Sequence, residues 1–466
     1  MTTPASARGG SLAEGAGRPR RSNASRPKFV SGSILRHILV MTGTGAIGLM
    51  AIFLCDLANI LFLSWLGDEA IIAGVGFAGS IVFLTVSIGL GLSIAATSLV
   101  APALGAGRRM RGRRLSLNAH VLTFIAASML SLAIWLAIPW LLSLLGATGR
   151  PAGLATTYLD ILVPAMPPLA VAMTSASVLR SVGDPGRAMS VTLIGAVVNT
   201  ALDVVLILWL RLGIEGAAIS SVVARLVMMG VGLYGVIWVH DLAGRLRLPT
   251  LLADAPVLFA VAMPAVLTNI ATPIANAYVT RAIAPFGDSA VAGWAILGRI
   301  TSVAFGAIFA LSATVGPIIG QNYGAREFDR MRATLTQSLL VTAAFTGIAW
   351  LVLAPLANPI AAAFRATGET AELVIFYCRY LAPLFVFLGA LFVANAAFNT
   401  LGRAHYSTVL NWGRATLGTI PFVALGACLG AAAGVLTGSM LGGVLFGVLA
   451  VWLAYHWIDA LQAGSR

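Results

Sequence analysis

Residues 158–185, "YLDILVPAMPPLAVAMTSASVLRSVGDP", align without gaps on residues 377–404, "YCRYLAPLFVFLGALFVANAAFNTLGRA". The two stretches share residues at five aligned pairs of positions: Tyr158 and Tyr377, Leu162 and Leu381, Pro164 and Pro383, Leu169 and Leu388, Gly183 and Gly402. The same offset of 219 places Gly105-Ala106 on Gly324-Ala325, and an offset of 220 places Gly67-Asp68 on Gly287-Asp288. Three matches in one order indicate an internal repeat, so the chain is predicted to consist of two related halves.

The composition around this repeat is that of a membrane protein. Of the 466 residues, 59% are hydrophobic and only 10% are charged, against roughly 25% charged in soluble domains. Apolar stretches longer than the roughly 20 residues that cross a bilayer as a helix recur along the chain. Twelve such stretches begin near residues 34, 70, 116, 152, 187, 213, 255, 290, 333, 371, 406 and 432.

We therefore predict an all-α membrane protein with twelve transmembrane helices in two pseudo-symmetric six-helix lobes. An even number of spans in each lobe makes the repeats parallel, related by an axis along the membrane normal, as in many secondary transporters. The predicted boundaries are a disordered basic tail (1–33), a first lobe (34–242), a linker (243–254), a second lobe (255–459) and a C-terminal tail (460–466).

The net charge of +13 reports topology rather than a nucleic-acid partner. Arginines gather in alternate connections, and the positive-inside rule then places both termini in the cytoplasm. These arginines are Arg108, Arg109, Arg111, Arg113, Arg114, Arg187, Arg245, Arg247, Arg326, Arg330, Arg332 and Arg403. The expected location is the plasma membrane, the bacterial inner membrane, with lipid as a partner. Cys55, Cys378 and Cys428 lie in apolar spans without paired spacing, so neither a disulfide framework nor a zinc site is expected.

Carboxylates inside the spans are the candidate chemistry. No phosphate-binding motif is present, which argues against ATP-driven pumping by this chain. An acid at a helix centre costs about 2.5 to 3.5 kcal/mol and is therefore rarely without function. Only Asp56, Asp160 and Asp203 lie well within a span, all in the first half.

Hairpin geometry places three further groups at the level of Asp203. The fifth and sixth spans turn near Leu212, so Asp203 and Ser221 lie at equal depth, roughly 13 Å from the turn. Asn199 is four residues from Asp203 and shares its helix face. Asp56 lies roughly 16 Å from the end of the first span. If these groups converge, the two carboxylates need a neutralising cation, either H⁺ or Na⁺.

The repeat makes this site asymmetric. At the offset of 219 Asp203 falls on Phe422 and Asn199 falls on Gly418, and at the offset of 220 found near the first span Asp56 falls on Asn276. The second half has no equivalent carboxylate. Ion coupling is therefore predicted to be a property of the first half.

With these residues the sequence resembles the multidrug and toxic compound extrusion (MATE) family, and its DinF-like branch more than its NorM-like branch. The segments that carry the resemblance are "CDLANILFLSWLG" (55–67), "GLSIAATSLVAPALGAG" (91–107), "LRSVGDPGRAMSVTLIGAVVNTALD" (179–203), "GIEGAAISSVVAR" (213–225), "GPIIGQNYGA" (316–325) and "FNTLGRA" (398–404). The resemblance implies two six-helix lobes in a V that export organic cations or other amphiphiles in exchange for H⁺ or Na⁺.

The resemblance also implies the coupling site Asp56, Asn199, Asp203 and Ser221, with Na⁺ as the alternative to H⁺ at Asp56, Asn199 and Asp203. Ser221 stands where the family usually has Thr. Ala176 replaces an amide often found in the family, which favours H⁺ over Na⁺. Thr272 lies near the place where NorM-like members carry a further acid in the seventh helix.

A second tier of polar residues is expected in the cavity: Asp160, Asn59, Arg379 and Asn276. Met173, Met166 and Phe385 are expected to line it as flexible apolar contacts. Four arginines and the five histidines are interpreted as groups near span ends; the arginines, expected to be paired there or to extend to the membrane surface, are Arg225, Arg281, Arg299 and Arg414. No cofactor beyond the coupling ion is expected, the protein is predicted to act as a monomer, and the cargo is a cationic or amphiphilic small molecule. The alternatives are a lipid-linked glycan flippase or a metabolite exporter of the same superfamily.

Overall fold

The computed structural model describes residues 27–65 and 68–464, and these residues form helices without any strand. The first half contains α1 (Ile34–Ser64), α2 (Glu69–Gly105), α3 (Arg109–Leu144), α4 (Gly149–Leu162), α5 (Met166–Val182), α6 (Pro185–Asp203) and α7 (Gly213–Tyr234). The second half contains α8 (Leu248–Ile283), α9 (Asp288–Ala304), α10 (Gly306–Ala325), α11 (Phe328–Leu353), α12 (Ala357–Ala363), α13 (Gly368–Phe376), α14 (Phe385–Thr400), α15 (Ala404–Ala415) and α16 (Ile420–Ala463).

The predicted membrane spans are present as long apolar helices. In the described part of the chain, ten helical segments are long and apolar enough to cross a bilayer, and the pair α9 and α10, bent by 52°, makes eleven. The segment Ala404–Ala463 contains a reversal at Gly430-Ala431, where the backbone leaves the helical region. Gly426 packs on the backbone of Gly434 across this reversal, as in an antiparallel hairpin. Counting the hairpin as two spans gives twelve.

Some predicted boundaries need correction. The linker is shorter than 243–254, because α8 already begins at Leu248. The C-terminal tail is shorter than 460–466, because α16 continues to Ala463. Residues 1–26 of the predicted tail, residues 66 and 67 at the end of the first span, and residues 465 and 466 lie outside the described residues.

The last part of the predicted tail is folded and joins the two halves. Lys28–Val30 form a short 3₁₀ turn whose Phe29 side chain is buried. The Lys28 ammonium donates to the carbonyl of Gly183 in the first half at 2.5 Å. The Phe29 amide donates to Gln321 of the second half at 2.9 Å. Burial of the aromatic ring explains why this stretch does not continue the polar tail.

The two halves cross most closely where α2 meets α10. Gly105 lies against the backbone of Gln321, and Gly324 lies against the backbone of Pro102. Both pairs are related by the repeat offset of 219, so the contact is reciprocal. A side chain at either glycine would overlap a main-chain carbonyl, which is why the sequence carries glycine at both positions.

Other contacts between the halves lie toward the same end of the bundle, which we name the basic end because Arg108, Arg245 and Arg326 lie there. Helix α1 of the first half packs on α10, and α8 of the second half packs on α2. The α1 contact uses Gly45 against Ala310, and the α8 contact uses Val266 against Gly91. These contacts hold the two halves together on the side of the basic end.

The close contact at Gly105 predicts that a larger residue there destabilises the protein. In Gly105→Ala, the added methyl group meets the Gln321 carbonyl, and overpacking of this kind costs about 1 to 3 kcal/mol. Thermal unfolding of the detergent-purified protein measures the loss. The matched control is Gly347→Ala in α11, where the new methyl group meets open space, so stability should be unchanged or slightly higher. Equal effects of the two substitutions would contradict the tight crossing.

Asp184, between α5 and α6, is predicted to stabilise the fold in a pH-dependent way. Its carboxylate caps α6 by accepting from the Arg187 amide at 3.1 Å, and it pairs with the side chains of Arg187 and His240. Partial burial acts to raise the pKa of Asp184, but the hydrogen bonds from Arg187 and His240 outweigh it and hold that pKa below its usual value.

Because folding lowers this pKa, the ionised carboxylate stabilises the fold above about pH 4, and the stabilisation is lost as the pH falls through the lowered value. We expect Asp184→Ala to unfold with about 1 kcal/mol less stability at pH 7. The difference from the unsubstituted protein should shrink as the pH falls from 7 to 3, measured by thermal unfolding. A difference that does not change with pH would assign the effect to the cap geometry alone.

Candidate functional site

Asp203 lies at the last residue of α6 and its side chain is fully buried. The following residues, Val204–Trp209, form a π-helical turn before the chain reverses into α7. Such turns widen the helix locally and frequently occur at functional sites. The turn leaves the carboxylate facing α1 and α7 within the first half.

Three neutral side chains from three helices hold this carboxylate. Asn199 donates from its amide nitrogen to Oδ2 at 3.0 Å, one turn away on the same helix. Asn59 of α1 donates to the same oxygen at 3.3 Å. The hydroxyl of Ser220 in α7 hydrogen-bonds Oδ1. Asn199 also contacts the thiol of Cys55 at 3.1 Å, so α1 and α6 meet twice at this level.

The predicted hydroxyl partner, Ser221, is corrected to Ser220. Ser220 and Ser221 lie at nearly the same depth as Asp203, but their side chains point to different sides of α7. Ser220 is fully buried on Asp203, whereas Ser221 interacts with the hydroxyl of Tyr158 in α4. The prediction was right in level and wrong in helix face.

The predicted pairing of Asp56 with Asp203 is also corrected. Among the described residues, Asp56 makes neither a hydrogen bond nor an ion pair with Asp203, and its side chain is exposed. Its electrostatic partner is Arg225 of α7, which also interacts with Tyr158. The residue that reaches Asp203 from α1 is Asn59, expected only in the second tier. A Na⁺ site made of Asp56, Asn199 and Asp203 is therefore not assembled.

Arg225 is held by a break between α4 and α5 rather than by a span end. Pro164 and Pro167 interrupt the helical hydrogen bonds there, and Val163–Ala165 form a 3₁₀ turn. The Leu162 carbonyl left at the break accepts from Arg225 at 3.1 Å. The neighbouring Val163 carbonyl accepts from Ser131 at 2.6 Å. The break thus fixes a buried guanidinium beside Asp56.

The remaining predicted cavity residues divide into two groups. Asp160, Arg379 and Asn276 are exposed, and none of their side chains has a hydrogen-bond or ion-pair partner in the described structure. Met166 and Phe385 do not line a cavity, because both are buried in the core, where Phe385 stacks on Phe305 with ring centroids 4.0 Å apart. Met173 is half-buried and its sulfur packs near Gly89.

His120 was interpreted as an interfacial residue, but the structure buries it inside the first half. One ring nitrogen contacts the Ser116 carbonyl at 2.7 Å and the other contacts the Ser175 hydroxyl at 2.9 Å. No local signal separates it from the other histidines, since its burial depends on packing between α3 and α5. The sequence did indicate that Arg225 lies near the site, because it follows Ser221 by four residues, one turn of α7.

The arrangement around Asp203 suits exchange of a proton. The Ser220 hydroxyl has one hydrogen and two acceptors within reach, Asp203 and the Ala217 carbonyl at 3.0 Å. With Asp203 ionised, Ser220 donates to it. With Asp203 protonated, the acid donates to Ser220, whose own hydrogen turns to Ala217. Both states are then fully hydrogen-bonded, as a buried group requires.

The chain is similar in sequence to known transport proteins. The MatE family model matches residues 46–205 and 264–425. A Shewanella oneidensis FAD transporter is 31% identical over 408 residues, covering 86% of this chain and 90% of that protein. The multidrug export protein MepA of Staphylococcus haemolyticus is 21% identical over 401 residues, covering 84% of this chain and 86% of that protein.

Solved structures show the same fold. The Vibrio cholerae MATE transporter VcmN in its bent form has a TM-score of 0.84 at 25% identity, covering 92% of this chain and 97% of that chain. A MOP superfamily transporter from Pyrococcus furiosus has a TM-score of 0.86 at 21% identity, covering 94% of this chain and 99% of that chain. The twelve-helix, two-lobe architecture is therefore shared along almost the whole length.

The corrected serine assignment can be tested directly. Ser220→Ala removes a hydroxyl donor from a fully buried carboxylate, and we expect a loss of about 1.5 to 3 kcal/mol in stability. Ser221→Ala, the adjacent control, leaves Asp203 unchanged and should cost about 1 kcal/mol or less. Thermal unfolding of both variants in one detergent gives the comparison. A larger loss for Ser221→Ala would restore the partner predicted from the sequence.

Proposed function

The chain belongs to the MATE family, whose members are secondary transporters rather than enzymes, and we propose that it is an exporter driven by protons that bind at Asp203. The observation that carries this proposal is the donor character of the carboxylate's partners. Asn59, Asn199 and Ser220 all present hydrogen-bond donors to Asp203. When Asp203 binds a proton, its hydrogen bond with Ser220 is kept with donor and acceptor exchanged, so no helix has to move far.

The same donor set disfavours Na⁺. Hard cations bind carboxylate, carbonyl and hydroxyl oxygens. Both amides turn their nitrogen atoms, not their oxygens, toward Asp203. Asp56, the second carboxylate of the predicted Na⁺ site, is beside Arg225 instead. Na⁺ binding would need both amides to turn over and Asp56 to leave its arginine.

Coupling follows from the three helices that meet at Asp203. The carboxylate ties α1 through Asn59 and α7 through Ser220 to its own helix α6. Protonation weakens the charge-assisted hydrogen bonds in this set, since the neutral acid is the weaker acceptor. Helix α1 also packs on α10 of the other half. A change in α1 is therefore transmitted to the interface between the halves, which rearranges in alternating access.

Two classes of cargo are supported by relatives, and we keep both. Several relatives are named as multidrug exporters, which supports an amphiphilic organic cation. The Shewanella oneidensis relative is named as an FAD transporter and is 31% identical, which supports a flavin nucleotide and hence a metabolite exporter. In either case we propose a plasma-membrane protein with both termini in the cytoplasm, active as a monomer. Membership of the DinF-like branch stays a prediction.

Replacing the carboxylate by its neutral isostere tests the coupling site. Asp203→Asn should reduce gradient-driven export by at least about tenfold, since no proton can be exchanged at the site. Proteoliposomes with an imposed pH gradient or, separately, a Na⁺ gradient provide the assay, with a fluorescent organic cation and FAD as reporters. Size-exclusion chromatography and thermal unfolding establish that the variant is folded.

The matched control is Asp160→Asn, which removes an exposed acid of the same half with no side-chain partner in the described structure. Its export should equal that of the unsubstituted protein. Undiminished export by Asp203→Asn would overturn the proposal. Export driven by Na⁺ but not by a pH gradient would replace the proton by Na⁺.

A further inference from the structure

Arg414 is a buried cation in the second half without an anionic partner. It lies near the end of α15 and is 8% exposed. One guanidinium nitrogen donates to the hydroxyl of Thr272 in α8 at 3.1 Å, and Nε has no partner. No carboxylate pairs with it among the ion pairs of the described residues. A charge left in this way within a membrane span is costly and calls for a ligand.

Acids of the second half do not supply that ligand. Asp254 already binds Arg114 and Asn118 at the start of α8. The other acids stand at helix starts, near helix ends or in connections: Asp288, Glu327, Asp329, Glu369, Glu372 and Asp459. Arg225 of the first half differs, because the Leu162 carbonyl accepts from it and the Asp56 carboxylate interacts with it electrostatically. Arg414 is thus the buried arginine of the second half whose charge the described structure leaves uncompensated.

The position of Arg414 is fixed by close helix packing. Ala271 and Ala275 of α8 pack on Ala415, with Trp412 against the same cluster, which brings α8 and α15 together. Trp412 donates to the Leu267 carbonyl at 3.1 Å. Thr419 donates to the carbonyl of Arg414 itself at 2.8 Å. The guanidinium is therefore held against Thr272 rather than free to turn away to the membrane surface.

Thr272 belongs to a polar stripe of α8 between the side packed on α15 and the side that faces the first half. Ala262 and Val266 identify this side, because both pack against Gly91 of α2. Asn269 and Asn276 follow at helical spacing on the same side, and Thr272 lies beside them. Asn269 and Thr272 are half-buried and Asn276 is exposed. These side chains are therefore at least partly accessible, and the stripe forms an open wall beside the contact with α2.

We propose that Arg414, with Thr272, Asn269 and Asn276, binds a phosphate group of the transported molecule. The guanidinium has a buried, unpaired Nε and further N–H groups in a planar fork, and the fork matches the several acceptor oxygens of a phosphate. The hydroxyl and the two amides add neutral donors along the stripe. A simple organic cation meets repulsion at this wall. The inference deepens the proposed function by selecting a phosphate-bearing cargo, and it rests on that proposal only for the transport route.

The division of charge between the halves supports this assignment. Asp203 in the first half is a buried acid whose partners are neutral donors. Arg414 in the second half is a buried base whose side-chain partner is a neutral hydroxyl. The two charges lie in different halves and have no contact. Proton coupling at Asp203 and cargo binding at Arg414 can therefore be separated by experiment.

Flavins provide matched probes, because riboflavin, FMN and FAD share one fluorescent ring and differ in phosphate. The full chain is placed in nanodiscs of neutral lipid, and binding is followed by fluorescence anisotropy without any gradient. We expect FMN and FAD to bind at least about tenfold more tightly than riboflavin, with inorganic pyrophosphate as a competitor. Arg414→Gln should weaken FAD binding about tenfold or more and change riboflavin binding less than about twofold. Arg414→Lys should be intermediate.

The control Arg281→Gln removes an exposed arginine of α8, the helix that carries Thr272, and should leave all three affinities unchanged. Equal binding of FAD and riboflavin by the unsubstituted protein overturns the proposal, and this result needs no folded variant. Equal weakening of both ligands in Arg414→Gln assigns the residue a structural role and also overturns it. Displacement of FAD by anionic lipid in the nanodisc identifies a lipid headgroup, not cargo, as the phosphate source.

Because these measurements use no ion gradient, their outcome is independent of coupling at Asp203. Loss of phosphate selectivity with intact proton-driven export would remove the cargo inference and keep the proposed function. Intact phosphate selectivity without proton-driven export would do the reverse.

Discussion

The contact between α2 and α10 is the constraint around which the two halves are arranged. Two glycines related by the repeat let the helices touch backbone to backbone. Gly105 of α2 lies against Gln321 of α10, and Gly324 of α10 lies against Pro102 of α2. Helices that approach so closely cannot separate locally without losing this packing. The neighbouring contacts of α1 with α10 and α8 with α2 gather at the same end. The two halves are therefore held together at this end of the bundle, whereas the Asp203 site lies buried within the first half.

Within that frame, burial of charge in a medium of low dielectric constant determines which polar groups meet. Asp203 is surrounded by three donors from three helices, so its charge is dispersed without a cation. Asp56 of α1 interacts electrostatically with Arg225 of α7. Among the arginines of the second half that the structure describes, Arg414 has a buried nitrogen without a partner. The repeat duplicated the backbone, whereas the polar groups diverged, which gives one half an acid and the other a base.

Much of the fold follows from the sequence because membrane spans are read from continuous apolar length and the halves from a constant offset. The end of the N-terminal tail and the start of α8 do not follow from composition. Phe29 joins the core and Leu248 begins a helix through contacts that composition does not reveal. The site was found at its correct level but partly on the wrong face. The π-helical turn Val204–Trp209 and the positive φ of Arg211 change the rotation between α6 and α7. Counting residues therefore gave the depth of the serine but not its direction.

What the sequence determined by itself is local or periodic: the number of spans, the two halves, the restriction of intramembrane acids to the first half, and the one-turn spacing of Asn199 and Asp203. The tertiary structure alone decided which distant groups share a site. Asn59 reaches Asp203 across 144 positions of sequence, and Arg414 reaches Thr272 across 142. Such pairs arise from helix rotation and crossing, which depend on the packing of all neighbouring side chains and have no period that a single sequence displays.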